Sequence, residues 1–409
     1  MMKISFEDTE TAFAYKTDKE LKRARFLFES MGKEWLVNLG LKITPWTLKI
    51  GLPVKGLIRK TIFSQFVGGE TLEETSEVAE KLAQFHVQVI LDYGVEGKEG
   101  EENFDKATNE FIKVIQYAAN QQNIPFMSVK LTGFSRFTLL QKLDELSDYN
   151  DIVRGKLAID KLDSNEKIEW KKVVHRLDRI CEAAERCNIG VLIDAEESWI
   201  QDPVDALTMQ MMQKFNLRKA VVYNTAQFYR NDRLKFVRDC CTVAKDHHFK
   251  LGLKLVRGAY MEKERERAKE LNYPSPINEN KQATDNEYNA ALEFCIDPSN
   301  EIYIIVGSHN EYSNLYATEL MKKHGLPLNS NHLHFSQLYG MSDNITFNLA
   351  KAGCSVSKYL PFGPIKDVIP YLMRRAQENS SVSGQTGREL LLIKKELKRR
   401  KEKRLRQIY

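Results

Sequence analysis

The strongest constraint on this chain is a beat that starts at Gly69. Short apolar runs rich in β-branched residues alternate with amphipathic stretches of helical period. The runs are 87–94, 126–133, 190–198, 220–227, 251–260, 301–310, 332–341 and 354–363. Helical stretches fall at 104–121, 167–187, 202–216, 230–247, 281–296 and 312–324. Continuous apolar strands separated by helices imply a parallel sheet buried on both faces. Eight such units in about 300 residues predict an α/β fold, a (β/α)8 TIM-like barrel. A doubly wound open sheet is the alternative, and no GxGxxG follows the first strand to favour it. The expected divisions are an N-terminal helical arm (1–67), the barrel (68–385) and a basic C-terminal helix (386–409).

Local signals refine this frame. Thr17-Asp18-Lys19-Glu20 predicts a capping box opening a helix to about Met31, and Thr71-Leu72-Glu73-Glu74 predicts another to about Phe85. Gly363-Pro364 should turn the chain into a helix, since Pro is tolerated in a first helical turn. Residues 95–103 read as an acidic mobile loop, and 134–166 as a helix and charged stretch inserted on the barrel rim. Residues 41–67 mix apolar residues with spaced Lys/Arg, either a helical arm packed on the main domain or a surface touching lipid headgroups.

Charge excludes some functions. The net +5 is a property of the tail, because Arg388–Arg406 holds ten Lys/Arg and three Glu, a net +7 that leaves the remainder at −2. Nucleic-acid binding by the body is therefore not indicated. Six Cys without a CxxC pair or Cys/His metal pattern, and no signal peptide, suggest a reduced intracellular protein. No apolar run is long enough to span a bilayer. The tail helix carries Leu390, Ile393 and Leu397 at helical spacing. It could dock on the barrel, or attach electrostatically to anionic lipid as a peripheral contact on the inner face of a membrane.

In a barrel, functional side chains gather at the C-terminal ends of the strands. Here those ends carry Asp92-Tyr93, Lys130, Asp194-Ala195-Glu196, Asn224 with Gln227, Lys254 with Arg257, Ser308-His309-Asn310, Gln337-Leu338-Tyr339 and Tyr359. After the last strand, Tyr371, Arg374, Arg375 and Glu378 share neighbouring parts of one helix surface. Adjacent arginines offer forked donors for a carboxylate or phosphate. Three chemistries suit the set: a metal centre from His309, His332, His334 and Asp194; a Schiff-base lysine at Lys130 or Lys254; or an anionic organic cofactor across the barrel mouth. The last uses the most observations, with Arg257-Gly258-Ala259 allowing close backbone approach and no metal required.

The motifs KLVRGAYMEKERERA (254–268), LIDAEESW (192–199), IVGSHN (305–310) and YLPFGPIKDVIPYLMRRAQENSS (359–381) resemble proline dehydrogenase. Weaker similarity runs through FVGGE (66–70), ILDYGVE (90–96) and NTAQFY (224–229), and the resemblance covers most of 15–385. It is closest to the monofunctional, mitochondrial eukaryotic-type branch. The resemblance implies a distorted (β/α)8 barrel, FAD as cofactor, L-proline as substrate, hydride passing from proline C5 to flavin N5 to give Δ1-pyrroline-5-carboxylate, and a membrane quinone as electron acceptor. The cysteine usage and the basic tail, not the resemblance, lead to the expectation of a cytoplasmic protein with peripheral contact on the inner face of the membrane. Lys130, Asp194, Tyr359, Arg374 and Arg375 match the catalytic set. The arginine pair matches the carboxylate clamp, and Tyr260, Leu338 and Tyr371 complete the proline pocket. Asp194, Ala195, Gln227, Lys254, Val256, Arg257, Gly258, Ala259, Gly307, Ser308, His309 and Asn310 match cofactor contacts. Glu378 is counted with them and orients an arginine. Two departures are visible: Lys254 stands where bacterial bifunctional relatives carry Arg, and Tyr339 where they carry His. A bulky Tyr359 implies proline over 4-hydroxyproline. A barrel lyase or aldolase is the rival function.

Overall fold

The computed structural model describes residues 4–33, 55–94, 99–381 and 383–408, the side chains at 55, 57, 378–386 and 408 excepted. Eight strands follow chain order around a closed parallel barrel: β1 (Gln88–Tyr93), β2 (Phe126–Val129), β3 (Gly190–Ile193), β4 (Val222–Gln227), β5 (Gly252–Val256), β6 (Tyr303–Gly307), β7 (Leu333–Leu338) and β8 (Val356–Phe362). The barrel expectation holds, and so does the reading of each apolar run as a strand. Most strands are shorter than their runs. For β2, β3, β5 and β7 the excess lies mainly at the C-terminal end, where the chain leaves the sheet carrying polar residues, whereas β4 and β8 start later than their runs. Of the stretch 41–67, read as a packed helical arm or a lipid-touching surface, residues 41–54 lie outside the described residues, while 55–66 is helical and buries Phe63 and Phe66 against helix Asp18–Met31 and the other apolar residues of its own unit.

The chain divides into two compact units, residues 96–336 and residues 1–95 with 337–409. The first contains β2 to β6 and most of β7, in parallel register from Phe126↔Gly190 to Gly307↔Ser336. Its strand interiors are buried throughout, which explains their unbroken apolar sequences. Phe126 packs edge-on to Tyr223 and to His334, whose ring centroid is 5.0 Å away. Burial therefore holds His334 neutral, down to about 3. The stretch 134–166 is more ordered than a rim insertion needs to be. Helices Phe137–Leu146 and Tyr149–Val153 pack on the long helix Ser198–Phe215. Asp163 opens helix Ser164–Cys187 with a reciprocal Asp163/Glu166 capping box.

The second unit pairs β1 with β8 from Gln88↔Ser357 to Tyr93↔Phe362. Thr17 and Glu20 form the expected capping box on helix Asp18–Met31. Thr71 caps helix Leu72–Ala83 at the Glu74 N–H, but Glu74 reaches back to the Glu70 N–H instead of closing a box. The tail is a helix, Ser383–Ile408, docked within this unit. Leu392 and Ile393 are buried in a cluster with Leu21, Phe28, Phe66 and Leu372, and Leu390 and Leu397 pack at its edge. Its cations pair with acids of the N-terminal segment: Lys394 with Glu29 at 3.1 Å, Arg399 with Glu10 at 3.0 Å, Arg400 and Arg404 with Asp18 at 2.9 and 2.8 Å. Such exposed pairs stabilise little individually. They do commit within the chain much of the charge expected to meet an anionic surface. Among the described residues no helix is long and apolar enough to cross a membrane.

Candidate active site

In the first unit the strand ends form one continuous polar assembly. At the end of β3, the Asp194 N–H donates to the Val129 carbonyl at 2.8 Å, which directs the following residues away from the sheet. The buried Asp194 carboxylate accepts an ion-paired hydrogen bond from Lys254 Nζ on β5. A buried lysine and carboxylate stay charged only while so matched, because removing one leaves an uncompensated charge in low dielectric. The spacing of three or four residues that pairs side chains on a helix is absent here. Closure of the barrel brings positions 194 and 254 together.

Two residues on, Glu196 is buried and its carboxyl is pushed up to about 7, chiefly by desolvation. It accepts from the Thr132 N–H at 3.1 Å and the Thr132 hydroxyl at 2.5 Å. Its own N–H donates to Gln201 Oε1 at 2.9 Å, and its carbonyl accepts from Gln227 Nε2 at 2.8 Å. Behind it, Gln201 and Asn224 both donate to the buried Asp205 carboxylate, which also accepts from Arg233 at 2.7 Å. Resemblance assigns roles to Asp194, Ala195 and Gln227; Thr132, Gln201 and Asp205 had no sequence signal beyond being polar.

The β5 and β6 ends are tied by Arg257. Its Nε donates to Asp285 at 2.8 Å, and its two terminal nitrogens donate to the Ser308 and Ser313 hydroxyls at 2.9 Å each. The guanidinium also lies 4.2 Å from the Tyr288 ring centre. Arg257 thus spans the two strand ends. Ser308 in turn accepts from the Asn310 N–H, and Asn310 caps helix Glu311–Lys323 at the Ser313 N–H. Val256 and His309 are half-buried, Gly258 and Ala259 exposed. Gly258 has φ +118°, and an added Cβ would lie 2.5 Å from the Tyr229 ring. A Cβ on Gly307 would meet Val256 at 3.0 Å and the Leu255 carbonyl at 3.1 Å. Tyr260 precedes helix Met261–Glu270, whose buried Glu264 accepts from the Ser198 N–H and hydroxyl at 2.7 and 2.6 Å. Lys130 caps the short turn Leu131–Gly133 directly after β2.

The second unit carries the remaining candidates. Tyr359 is buried on β8, and its carbonyl accepts from the Tyr339 N–H at 2.9 Å. Leu338 ends β7 half-buried. Gly363, at φ +141°, and Pro364 turn the chain into helix Ile365–Ser381 as expected. On that helix Arg375 is buried with its guanidinium 5.1 Å from the Tyr371 ring centre, a cation–π pair at helical spacing. Arg374 is half-buried beside it. The Glu378 side chain lies outside the described residues. A buried ion pair missed from sequence matters here, joining Lys358 on β8 to Asp343 at the start of helix Asp343–Lys351. Lys358 is fully buried with its ammonium 2.9 Å from Asp343, and Asp343 also takes Lys16 at 3.0 Å and the Tyr15 hydroxyl at 2.8 Å.

A closed (β/α)8 barrel whose strand ends carry matched buried charges defines an enzyme architecture. The chain belongs to the proline dehydrogenase family, whose model matches residues 75–388. It is 33% identical to proline dehydrogenase 1, mitochondrial, of Dictyostelium discoideum, covering 86% of this chain and 67% of that one. It is 34% identical to the carbapenem antibiotics biosynthesis protein CarD of Pectobacterium carotovorum, covering 89% and 91% respectively. It is 31% identical to hydroxyproline dehydrogenase of Xenopus laevis, covering 97% and 90%. Among solved structures it is similar to proline utilization A of Bdellovibrio bacteriovorus, with a TM-score of 0.67 at 20% identity over 94% of this chain. It spans 40% of that longer protein, a likeness of fold.

Proposed function

We propose that the protein oxidises L-proline to Δ1-pyrroline-5-carboxylate with bound FAD and a membrane quinone as final acceptor. The observation that carries this is the family match over 75–388, which contains every residue assigned a role. Bound FAD supplies the two-electron chemistry that removes a hydride from proline C5. The donor set suits such a cofactor. Lys254, Gln227 and His309 end successive strands, and exposed Gly258 and Ala259 leave their backbone open to close approach. Asp194, Ala195, Val256, Gly307, Ser308, Asn310 and Glu378 complete the assigned contacts. Arg257 contributes by fixing Ser308, since three of its donors are held within the protein.

Arg374 and Arg375 are assigned the proline carboxylate, with the Arg375 guanidinium paired to the Tyr371 ring. Lys130 and Asp194 serve the polar edge of the substrate, while Tyr260, Leu338, Tyr359 and Tyr371 wall the ring. The amine must be neutral at transfer, and nearby cations favour its deprotonation. Hydroxyproline is a second reading, favoured by the Xenopus relative. Against it stands Tyr359, whose bulky phenol is buried and would crowd a hydroxyl on the proline ring. The test is a visible spectrum of the purified protein, followed by L-proline without oxygen. A flavin spectrum that bleaches is expected, with kcat/KM higher for proline than for 4-hydroxyproline. A protein that stays colourless after added FAD overturns the proposal, and a higher kcat/KM for hydroxyproline overturns the substrate choice.

A further inference from the structure

We propose that Glu196 is a positioning residue for the substrate end of the site, acting through the turn that carries Lys130. The inference rests on the proposed function, because it takes Lys130 as a proline-pocket residue. Three strand ends meet at this one residue. Its carboxylate takes both donors of Thr132, two residues beyond Lys130. Its carbonyl takes Gln227 at the end of β4, and its N–H is held by Gln201. Within the Lys130 turn the Gly133 N–H bonds the Lys130 carbonyl at 3.1 Å and the Phe134 N–H bonds the Leu131 carbonyl at 3.1 Å, while the Asp194 N–H holds the Val129 carbonyl at its start and Arg176 the Phe134 carbonyl at its far end. The Glu196 carboxylate ties the middle of the turn to the segment after β3, by binding a main-chain and a side-chain donor of the same residue. It also lies within the electrostatic reach of the Lys130 ammonium. A carboxylate excluded from water and paired this way orients a neighbouring cation as well as the backbone.

The test is a double-mutant cycle on the FAD-loaded full chain, with Glu196→Ala, Lys130→Ala and both together. KM and kcat for proline are measured, and so is the affinity for a non-oxidisable five-membered-ring carboxylate, read from the flavin absorbance change. Glu196→Ala should raise KM and weaken the ring carboxylate by about tenfold, the loss given by one hydrogen bond to a charged group. The kcat should change less. On the Lys130→Ala background the same substitution should add at most about twofold. Glu196→Gln, which can accept from the Thr132 N–H and donate to its hydroxyl, should restore most of the affinity. Thr132→Val, which removes one donor without emptying the core, should raise KM several-fold. An equal effect of Glu196→Ala in both backgrounds overturns the proposal, as does a normal KM in Thr132→Val. If Lys130→Ala alone leaves KM unchanged, the assignment of Lys130 falls and takes this proposal with it, a result separable from the first.

Discussion

Replacing Glu389 by Gln should stabilise the protein at pH 8 and leave it nearly unchanged at pH 4. Glu389, on the docked tail helix, is buried and accepts a hydrogen bond from the Ser342 N–H. Desolvation, then the Asp343 charge, push its carboxyl from 4.5 up to about 7, against the Ser342 bond and the charges of Lys358 and Lys16. Between those two values the folded protein keeps a proton that the unfolded chain has released. Stability from this group is therefore fully present below pH 4.5 and is lost as pH rises to about 7. At about 1.36 kcal/mol per pH unit the loss approaches about 3 kcal/mol. Gln keeps the acceptor for Ser342 and cannot ionise, so it removes the loss. Unfolding entropy of about 2.1 cal/mol/K per residue converts about 3 kcal/mol into roughly 3 °C for a chain this long. The assay is the thermal unfolding midpoint of both proteins from pH 4 to pH 8. Their difference is the observable, because other groups tilt each curve. His334, held at about 3, makes stability rise with pH up to 6.5, while Glu196 at about 7 slopes the same way as Glu389. A difference that does not grow between pH 4.5 and pH 7 refutes the reasoning.

Two further outcomes follow from the same physics. Gly258→Ala should destabilise by about 1–3 kcal/mol and weaken FAD retention, since φ +118° disfavours any Cβ and Tyr229 occupies its space; FAD affinity by fluorescence titration checks it. Asp205→Asn should cost roughly 3 kcal/mol in denaturant unfolding, because Arg233 loses its buried carboxylate partner and Gln201 or Asn224 faces a donor.

The barrel was legible because strands buried on both faces of a parallel sheet must be apolar throughout, as Val191-Leu192-Ile193 and Ile304-Ile305-Val306 are. Where each strand stops was less legible. In GVLIDAEES the sheet ends at Ile193, and the polar residues beyond read equally well as its continuation. The Asp163/Glu166 box was visible in the sequence as Asp-Ser-Asn-Glu and was obscured by reading its surroundings as a charged stretch. The amphipathic tail was legible as a helix from Leu390, Ile393 and Leu397. The acids that receive its cations were not: Glu10, Asp18 and Glu29 look like ordinary surface charges when read locally.

Residues assigned to ligands and residues that hold them differ in how they can be found. Arg374, Arg375 and Tyr371 lie within one helical turn and a little more, so spacing alone puts them on one surface. Lys16, Asp343, Lys358 and Glu389 come from four separate segments, and nothing in their spacing pairs them. Yet Asp343 is held charged, at about 2, by those same lysines. The network sits one residue before Tyr359 on β8, so the strand that carries a proposed specificity residue is anchored by charges drawn from both ends of the chain. Resemblance assigns Tyr359 a role, while the packing explains why that tyrosine has a fixed place from which to act.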